Sequence, residues 1–164
     1  MAEQPKTPLI LVVDDDWMNR EVIEAHLHTA GYDVAVAHSG EQALESAGQT
    51  PPDLILLDVR LQGLSGYAVC QQLKVRAATH STPVMMISAL EGDPEQRRAI
   101  EAGADDFITK PFSALVLLTR VRNLLRLKAL EDAAQVRDRR LRQVLCRYVD
   151  DELADQILAD LSVF

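Results

Sequence analysis

Leu9-Ile10-Leu11-Val12-Val13-Asp14-Asp15-Asp16 decides the fold, because five apolar residues run directly into three aspartates. An apolar run of this length, rich in β-branched side chains, is too short for a buried helix and predicts a buried strand. Further along the chain, similar short runs occupy residues 33–37, 54–57, 84–87 and 107–108. The sequence therefore predicts five short strands.

Longer segments with helical periodicity lie between these runs, at residues 18–30, 40–47, 65–77 and 94–102. Gly31 is placed to end the first helix, and Ser39 with Gln42 has the spacing of a capping box at the start of the second. Almost uniformly apolar strands that alternate with helices are typical of a parallel sheet covered on both faces. We expect an α/β fold, a doubly wound three-layer sandwich with right-handed crossovers.

Composition and charge argue against three classes: disordered, membrane-spanning and nucleic-acid-binding proteins. The chain has 164 residues, 48% hydrophobic and 26% charged, which argues against disorder. It contains no apolar run of about 18 residues, so we expect no membrane span. Residues 1–112 carry 8 Lys and Arg against 17 Asp and Glu, a balance of −9. An acidic body argues against direct binding to nucleic acid.

The two cysteines and the N-terminus indicate a reducing compartment. Cys70 and Cys146 lie in different predicted helices, without the spacing of a metal site or a disulfide framework. The first six residues lack the basic-then-apolar order of a signal peptide. We expect a cytoplasmic protein.

From Ser113 onward the sequence favours helix without interruption, since it contains no Gly, Pro or strand candidate. Apolar residues recur there at alternating spacings of three and four, broken only by Arg137, which predicts a short coiled-coil seam. A long last helix that packs on its own domain is the alternative. The predicted dimer seam consists of Leu127, Leu130, Ala134, Leu141, Val144 and Tyr148.

Polar residues follow the predicted strands at the points where each strand ends. Asp14 to Asp16 follow the first strand, Asp58 the third, Ser88 the fourth and Lys110 the fifth. Ligands of open parallel sheets bind beyond the carboxyl ends of the strands, where these side chains would meet. Clustered carboxylates repel one another unless a cation intervenes, and Mg²⁺ prefers such oxygen ligands. No His or Cys stands beside them, which argues against zinc.

The same residues indicate chemistry at phosphorus. A carboxylate such as Asp58 beside a divalent cation can attack phosphorus and form an acyl phosphate; pure metal ligation is its competing role. The ammonium of Lys110 and the hydroxyl of Ser88 would then bind phosphoryl oxygens.

Four segments together resemble the receiver domain of bacterial two-component response regulators. They are Leu-Val-Val-Asp-Asp-Asp ending at Asp16, Leu-Ile-Leu-Leu-Asp-Val-Arg ending at Arg60, Met-Met-Ile-Ser-Ala ending at Ala89, and Gly-Ala-Asp-Asp-Phe-Ile-Thr-Lys-Pro-Phe ending at Phe112. The resemblance covers about residues 8–127, after a tail over 1–7 and before a helical extension over 128–164. It implies a flavodoxin-like (βα)5 fold with strand order 2-1-3-4-5.

The resemblance also implies roles for particular residues. Asp58 would accept a phosphoryl group from a sensor histidine kinase or a histidine phosphotransfer protein. Three sets of residues would serve that reaction: Asp14, Asp15, Asp58 and the backbone carbonyl of Arg60 as Mg²⁺ ligands, Ser88, Ala89 and Lys110 as phosphoryl-binding groups, and Ser88 and Phe107 as the switch pair. The bond between Lys110 and Pro111 is expected to be cis.

Four positions near the site are distinctive. Many members of the family have Pro where this chain has Gln62, and Asp where it has Ser65. Leu90 cannot position an attacking water, so we expect a phosphoryl lifetime longer than seconds and no enzymatic turnover beyond slow self-dephosphorylation. Trp17 is the only tryptophan, and we expect it to pack at the start of the first helix.

The expected output is a change in the surface formed by the fourth helix, the fifth strand and the fifth helix. That change would control homodimerisation through this surface, the C-terminal helix or both, or an output domain. Residues 145–158 are weakly similar to the segment that precedes class III nucleotide cyclase domains, in which case the chain would be part of a longer protein. The other possibility is a stand-alone receiver.

Two other functions fit parts of the sequence but not all of it. Asp14 and Asp16 satisfy the Asp-x-Asp opening of haloacid-dehalogenase-like phosphatases, with Asp14 as nucleophile and Asp16 as acid and base. That family needs an acidic pair on a strand after its lysine, whereas only helix is predicted after Lys110. A flavin-binding domain of the same fold class is disfavoured because three aspartates after the first strand would repel the phosphate.

Overall fold

The computed structural model describes residues 4–148 and Gln156, and its elements alternate strictly between strand and helix. In chain order they are β1 Leu9–Val13, α1 Trp17–Thr29, β2 Asp33–Ala37, α2 Gly40–Gln49, β3 Leu54–Asp58, α3 Gly66–Val75, β4 Val84–Ser88, α4 Asp93–Glu101, β5 Asp106–Thr109 and α5 Ala114–Tyr148. Each predicted strand and helix is present, with ends shifted by one or two residues in most cases.

The five strands form one parallel sheet in the order β2-β1-β3-β4-β5. The predicted doubly wound (βα)5 sandwich and its strand order 2-1-3-4-5 are confirmed. Strand order reverses at β1, with β2 on one side and β3 on the other, so a crevice opens beyond the carboxyl ends of β1 and β3.

Side chains alternate between the two faces of the sheet and form two core clusters. Leu11 and Leu57 belong to the cluster that α2, α3 and α4 cover. Val12 and Leu56 belong to the cluster that α1 and the first part of α5 cover. All five residues of β3 are buried, which explains why its sequence is apolar up to Asp58.

The chain divides into two units, Met1–Lys128 and Ala129–Phe164. The first contains the sheet, α1 to α4 and the beginning of α5. In the second, residues 129–144 are helical and exposed, including Ala134 and the large apolar side chains of Leu130, Leu141 and Val144. The side chain of Tyr148 and most of residues 145–158 lie outside the described part of the chain.

Candidate functional site

Three carboxylates converge at the carboxyl ends of β1 and β3. These strands are neighbours in register, so Asp14 after β1 and Asp58 at the end of β3 stand side by side. Carboxylate oxygens of Asp14, Asp15 and Asp58 all lie within 4.8 Å of one another. Asp14 and Asp58 are 2% and 7% exposed, whereas Asp15 is open to solvent. The donor set is all oxygen and close-set, which fits a hard divalent cation.

Lys110 reaches this cluster from beyond β5. Its ammonium lies 3.1 Å from Oδ2 of Asp58 and 3.4 Å from Oδ2 of Asp14. Its backbone N–H donates to the carbonyl of Ser88 at 2.7 Å, which ties the end of β5 to the end of β4. The peptide bond between Lys110 and Pro111 is cis. The ammonium of Lys110 therefore bridges the carboxylates of Asp58 and Asp14.

The pKa values of this group follow from burial and charge. Burial raises the pKa of Asp14, and the negative charge of Asp58 raises it further, against the lowering effect of the Asp16 N–H and of Lys110. Burial lowers the pKa of Lys110, but the charges of Asp58 and Asp14 outweigh it and raise the pKa overall. Burial and the neighbouring carboxylate thus disfavour the ionised form of Asp14 even with Lys110 beside it.

Local turns orient the two buried carboxylates. Oδ1 of Asp14 accepts a hydrogen bond from the N–H of Asp16 at 2.9 Å, and Oδ1 of Asp58 accepts one from the N–H of Arg60 at 3.1 Å. The second oxygen of each carboxylate faces Lys110. Asp16 itself caps α1 by accepting from the N–H of Met18 at 2.9 Å. Each carboxylate therefore keeps one oxygen fixed and presents the other to the crevice.

The crevice above the cluster has a volume of about 290 Å³. Its lining consists of Asp14, Asp15, Asp16, Asn19, Asp58, Arg60, Leu61, Gln62, Ala89 and Lys110. The structure thus brings together six of the residues predicted to bind Mg²⁺ or the phosphoryl group, namely Asp14, Asp15, Asp58, Arg60, Ala89 and Lys110.

Ser88 and Phe107 do not line the crevice. Ser88 is 1% exposed, and its hydroxyl oxygen accepts a hydrogen bond from the N–H of Leu90 at 3.0 Å. Phe107 is partly buried against the core cluster under α4 and lines a separate cavity with Ala99. The two residues predicted to act as a switch therefore lie outside the lining of the crevice, although Ser88 directly follows Ile87, the register partner of Asp58.

Two findings at α1 were not anticipated. Arg20 donates from Nη1 to the backbone carbonyl of Asp14 at 2.6 Å and so steadies the β1–α1 turn. The sequence indicates this contact only in that α1 begins directly after the three aspartates. The expectation that Trp17 packs at the start of α1 is wrong, because its side chain is 62% exposed. With Asp16 as cap, Trp17 is the first helical residue and projects into solvent.

The sequence profile of the response regulator receiver domain matches residues 10–122, most of the chain. The chain belongs to the response regulator receiver family. It is a receiver of a phosphorelay, and receiver domains take phosphoryl groups from histidine kinases or phosphotransfer proteins. Membership of this family supports the role of a phosphorelay receiver and does not support the alternative of a haloacid-dehalogenase-like phosphatase.

Curated response regulators are similar to more than three quarters of the chain. The chain is 42% identical over 129 residues to the response regulator PleD of Caulobacter vibrioides, which is 79% of this chain and 28% of PleD. It is 41% identical over 126 residues to the response regulator MprA of Mycobacterium bovis, which is 77% of this chain and 54% of MprA. The chain thus spans between about a quarter and about half of these relatives.

Solved receiver structures share the fold. The receiver domain of the Francisella response regulator 1452 has a TM-score of 0.69 and 32% identity, and the match covers 73% of this chain and 98% of that one. The chemotaxis protein CheY4 of Vibrio cholerae has a TM-score of 0.70 and 25% identity, with 73% and 99% covered. Among the described residues of the receiver and its extension, no helix combines the length and hydrophobicity that a membrane span requires.

Proposed function

We propose that Asp58 is the phosphoacceptor and that its donor is a sensor histidine kinase or a histidine phosphotransfer protein. The observation that carries this assignment is the position of its Oδ2 atom, which faces the crevice 3.1 Å from the Lys110 ammonium. Asp58 is the only one of the three clustered carboxylates that ends a central strand of the sheet, with β1 on one side and β4 on the other.

In the proposed reaction, a carboxylate oxygen of Asp58 forms a bond to the phosphorus of a phosphohistidine. The bond from phosphorus to the imidazole nitrogen breaks, and its electron pair leaves with the imidazole, which takes up a proton. The product is an acyl phosphate on Asp58. Before the reaction, Lys110 pairs with the carboxylates of Asp58 and Asp14. It then exchanges one of these two partners for a phosphoryl oxygen.

The carboxylates of Asp14, Asp15 and Asp58, with the backbone carbonyl of Arg60, are the proposed Mg²⁺ ligands. Their oxygens are close enough to share one ion, and Arg60 lines the same crevice. Bound there, Mg²⁺ would offset the negative charge of the carboxylates and of the phosphoryl group. Burial, and then the negative charge of Asp58, raise the pKa of Asp14, and a cation bound beside both carboxylates would favour their ionised forms.

The phosphoryl group is proposed to bind Lys110, the Ser88 hydroxyl and the backbone at Ala89. For Ser88 this means leaving the N–H of Leu90, its present partner. Phe107 then turns within the partly open space that it shares with Ala99 and Ile100, and the surface of α4, β5 and α5 changes.

The receiver is proposed to act as a switch with slow self-dephosphorylation and not as an enzyme with turnover. Leu90, two residues beyond Ser88, is 37% exposed and apolar, so it offers no group that could orient an attacking water. We expect the acyl phosphate to persist for longer than seconds. Its place of action is proposed to be the cytoplasm.

The extension is proposed to form a homodimer, alone or together with the surface of α4, β5 and α5. Leu127, Leu130, Leu141 and Val144 are 38–63% exposed on a helix in which they recur at the spacing of a coiled-coil seam. The proposed organisation is a tail over 1–7, a receiver over 8–127 and an extension over 128–164. The similarity of residues 145–158 to segments that precede class III cyclase domains stays a prediction, with a longer chain and an output domain as its consequence.

Incubation with acetyl phosphate and MgCl2, followed by intact-mass analysis, tests the assignment. We expect an adduct of ~80 Da on the native chain and none on Asp58→Asn. Asp53→Asn is the matched control, because Asp53 is also an aspartate beside β3, but its carboxylate is bonded to the N–H of Leu9 away from the crevice. An adduct that survives Asp58→Asn would contradict the proposal.

A further inference from the structure

Tyr67 stands on a part of the structure that is fixed to the strand of the proposed phosphoacceptor. It is the second residue of α3, directly after Gly66. A Cβ atom on Gly66 would lie only 2.2 Å from the carbonyl oxygen of Asp58, and the Gly66 N–H donates to the carbonyl of Val59 at 2.9 Å. The start of α3 therefore rests on the backbone of Asp58 and cannot move independently of it.

The side chain of Tyr67 reaches across to α4. Its hydroxyl donates a hydrogen bond to Oε2 of Glu95, and its ring lies under Arg98, whose guanidinium carbon is 4.4 Å from the ring centroid. Tyr67 is 7% exposed. Burial, and then the hydrogen bond to Glu95, raise the pKa of Tyr67 to about 12, so the phenol remains a donor at neutral pH. Two polar contacts on one side chain thus hold α4.

Other anchors of α4 are few. Within this fully described helix only Ala99 is buried, and Ile100, its one large apolar side chain, is 71% exposed. The helix starts after Gly92, at a φ of 121°, without a side-chain cap. A cavity of about 260 Å³ lies beside Ala99 and Phe107. The helix therefore has little apolar contact to keep it in place and has space beside it.

We propose that Tyr67 is a positioning residue that tethers α4 in its resting place and so couples the position of α4 to Asp58. Glu95 lies in the first turn of α4, four residues after Glu91 in the loop that follows Ser88 and Ala89. A displacement of that loop moves Glu95, whereas Tyr67 stays with β3. The hydrogen bond spans a fixed element and a movable one, and it is lost when α4 shifts.

This inference rests on the proposed phosphorylation of Asp58. It adds the free energy of the Tyr67 contact to the cost of reaching the shifted conformation. A contact made only in the resting conformation lowers the population of the other conformation, and phosphorylation has to overcome it. Removal of the hydroxyl is expected to raise the population of the shifted conformation by about tenfold, the effect of losing one hydrogen bond to a charged group.

Amide hydrogen exchange on the full chain without donor is the first arm of the test. In Tyr67→Phe we expect residues 93–101 to exchange about tenfold faster, with β3 and α3 unchanged. Tyr32→Phe is the matched control, since Tyr32 is a partly buried tyrosine on the other core cluster. Unchanged exchange in α4 of Tyr67→Phe would overturn the tether.

The rate of phosphorylation by acetyl phosphate, followed by intact mass, is the second arm. We expect Tyr67→Phe to gain the adduct about three- to tenfold faster than the native chain, and Glu95→Gln, which keeps an acceptor and loses the charge, to show a smaller increase. Faster exchange in α4 with an unchanged rate of phosphorylation would show a merely structural contact and overturn the coupling. A native chain that gains no adduct would instead contradict the proposed function.

Discussion

The Nζ atom of Lys110 lies 3.1 Å from Oδ2 of Asp58, although the two residues are 52 positions apart and β4 separates their strands. The same ammonium lies 3.4 Å from Oδ2 of Asp14. One lysine thus spans the carboxyl end of the sheet from β5 to β1. Its charge is the only one at the crevice of the described receiver that pairs with these two carboxylates.

Replacement of Lys110 by Met removes this pairing. We expect Lys110→Met to lower the free energy of unfolding by about 2 kcal/mol without Mg²⁺, less than for a fully buried pair because the ammonium is partly exposed. Chemical denaturation with and without MgCl2 measures the effect. Mg²⁺ should recover more stability in this variant than in the native chain, because the carboxylates it binds lack their other cation.

Lys74→Met is the matched control for that experiment. Lys74 pairs with Asp105 at 2.7 Å, and neither residue lines the crevice. Its variant should gain the same stability from Mg²⁺ as the native chain. An equal gain in stability from Mg²⁺ in the native chain, Lys110→Met and Lys74→Met would contradict this expectation. It would mean that Lys110 and Mg²⁺ do not share the carboxylates of Asp14 and Asp58.

Asp14→Asn tests the raised pKa of Asp14. A carboxyl group whose pKa folding raises binds its proton more tightly in the folded state, so stability falls as the pH rises from 3.8 through the raised value. At pH 7 the ionised Asp14 therefore costs stability, and Asp14→Asn should be more stable than the native chain without Mg²⁺. Thermal denaturation between pH 3 and pH 7 measures this. The two proteins should converge at the acidic end, and a variant that is less stable at pH 7 would contradict the explanation.

Trp17 provides a signal for Mg²⁺ binding. It is the only tryptophan, is 62% exposed and follows Asp16 directly, so an ion at the carboxylates should change its fluorescence. We expect a saturable change on titration with MgCl2 and, in Asp15→Asn, at least about tenfold weaker binding. Asp33→Asn removes an exposed carboxylate at the far end of β2 and should titrate like the native chain. An unchanged spectrum would count against the metal site.

Sequence reasoning anticipated the strands and the set of residues at their ends for one physical reason. Buried parallel strands are nearly all apolar, so the first polar residue after each run marks a strand end, and these ends meet at one edge. That rule located Asp14, Asp58 and Ser88 directly and Lys110 one residue further on, after Thr109. The strand order followed from the resemblance.

Contacts set by the placement of whole helices were not visible in the sequence. The hydrogen bond from Tyr67 to Glu95 joins two helices whose separation depends on how α4 packs, and no local pattern encodes it. Trp17 was expected to pack at the start of the first helix, whereas it is the first residue of α1 and is 62% exposed. The local bond from the Leu90 N–H to Ser88 was equally hidden, since turn geometry decides it.

Leu141→Asp tests the proposed seam of the extension. A charge at a seam position should weaken a homodimer at least about tenfold, measured by sedimentation of the full chain at several concentrations. Val136→Asp is the matched control, because Val136 is an exposed apolar residue of the same helix that lies off the seam. A native chain that sediments as a monomer, or equal effects of both substitutions, would refute the seam.

The site of covalent modification tests the central claim most directly. After treatment with acetyl phosphate and MgCl2, borohydride reduces an acyl phosphate on aspartate to homoserine, and peptide mass mapping then locates it. We predict homoserine at residue 58 and nowhere else in the cluster. Homoserine at residue 14, the nucleophile of the phosphatase alternative, or at no aspartate at all, would contradict the assignment of Asp58 as phosphoacceptor.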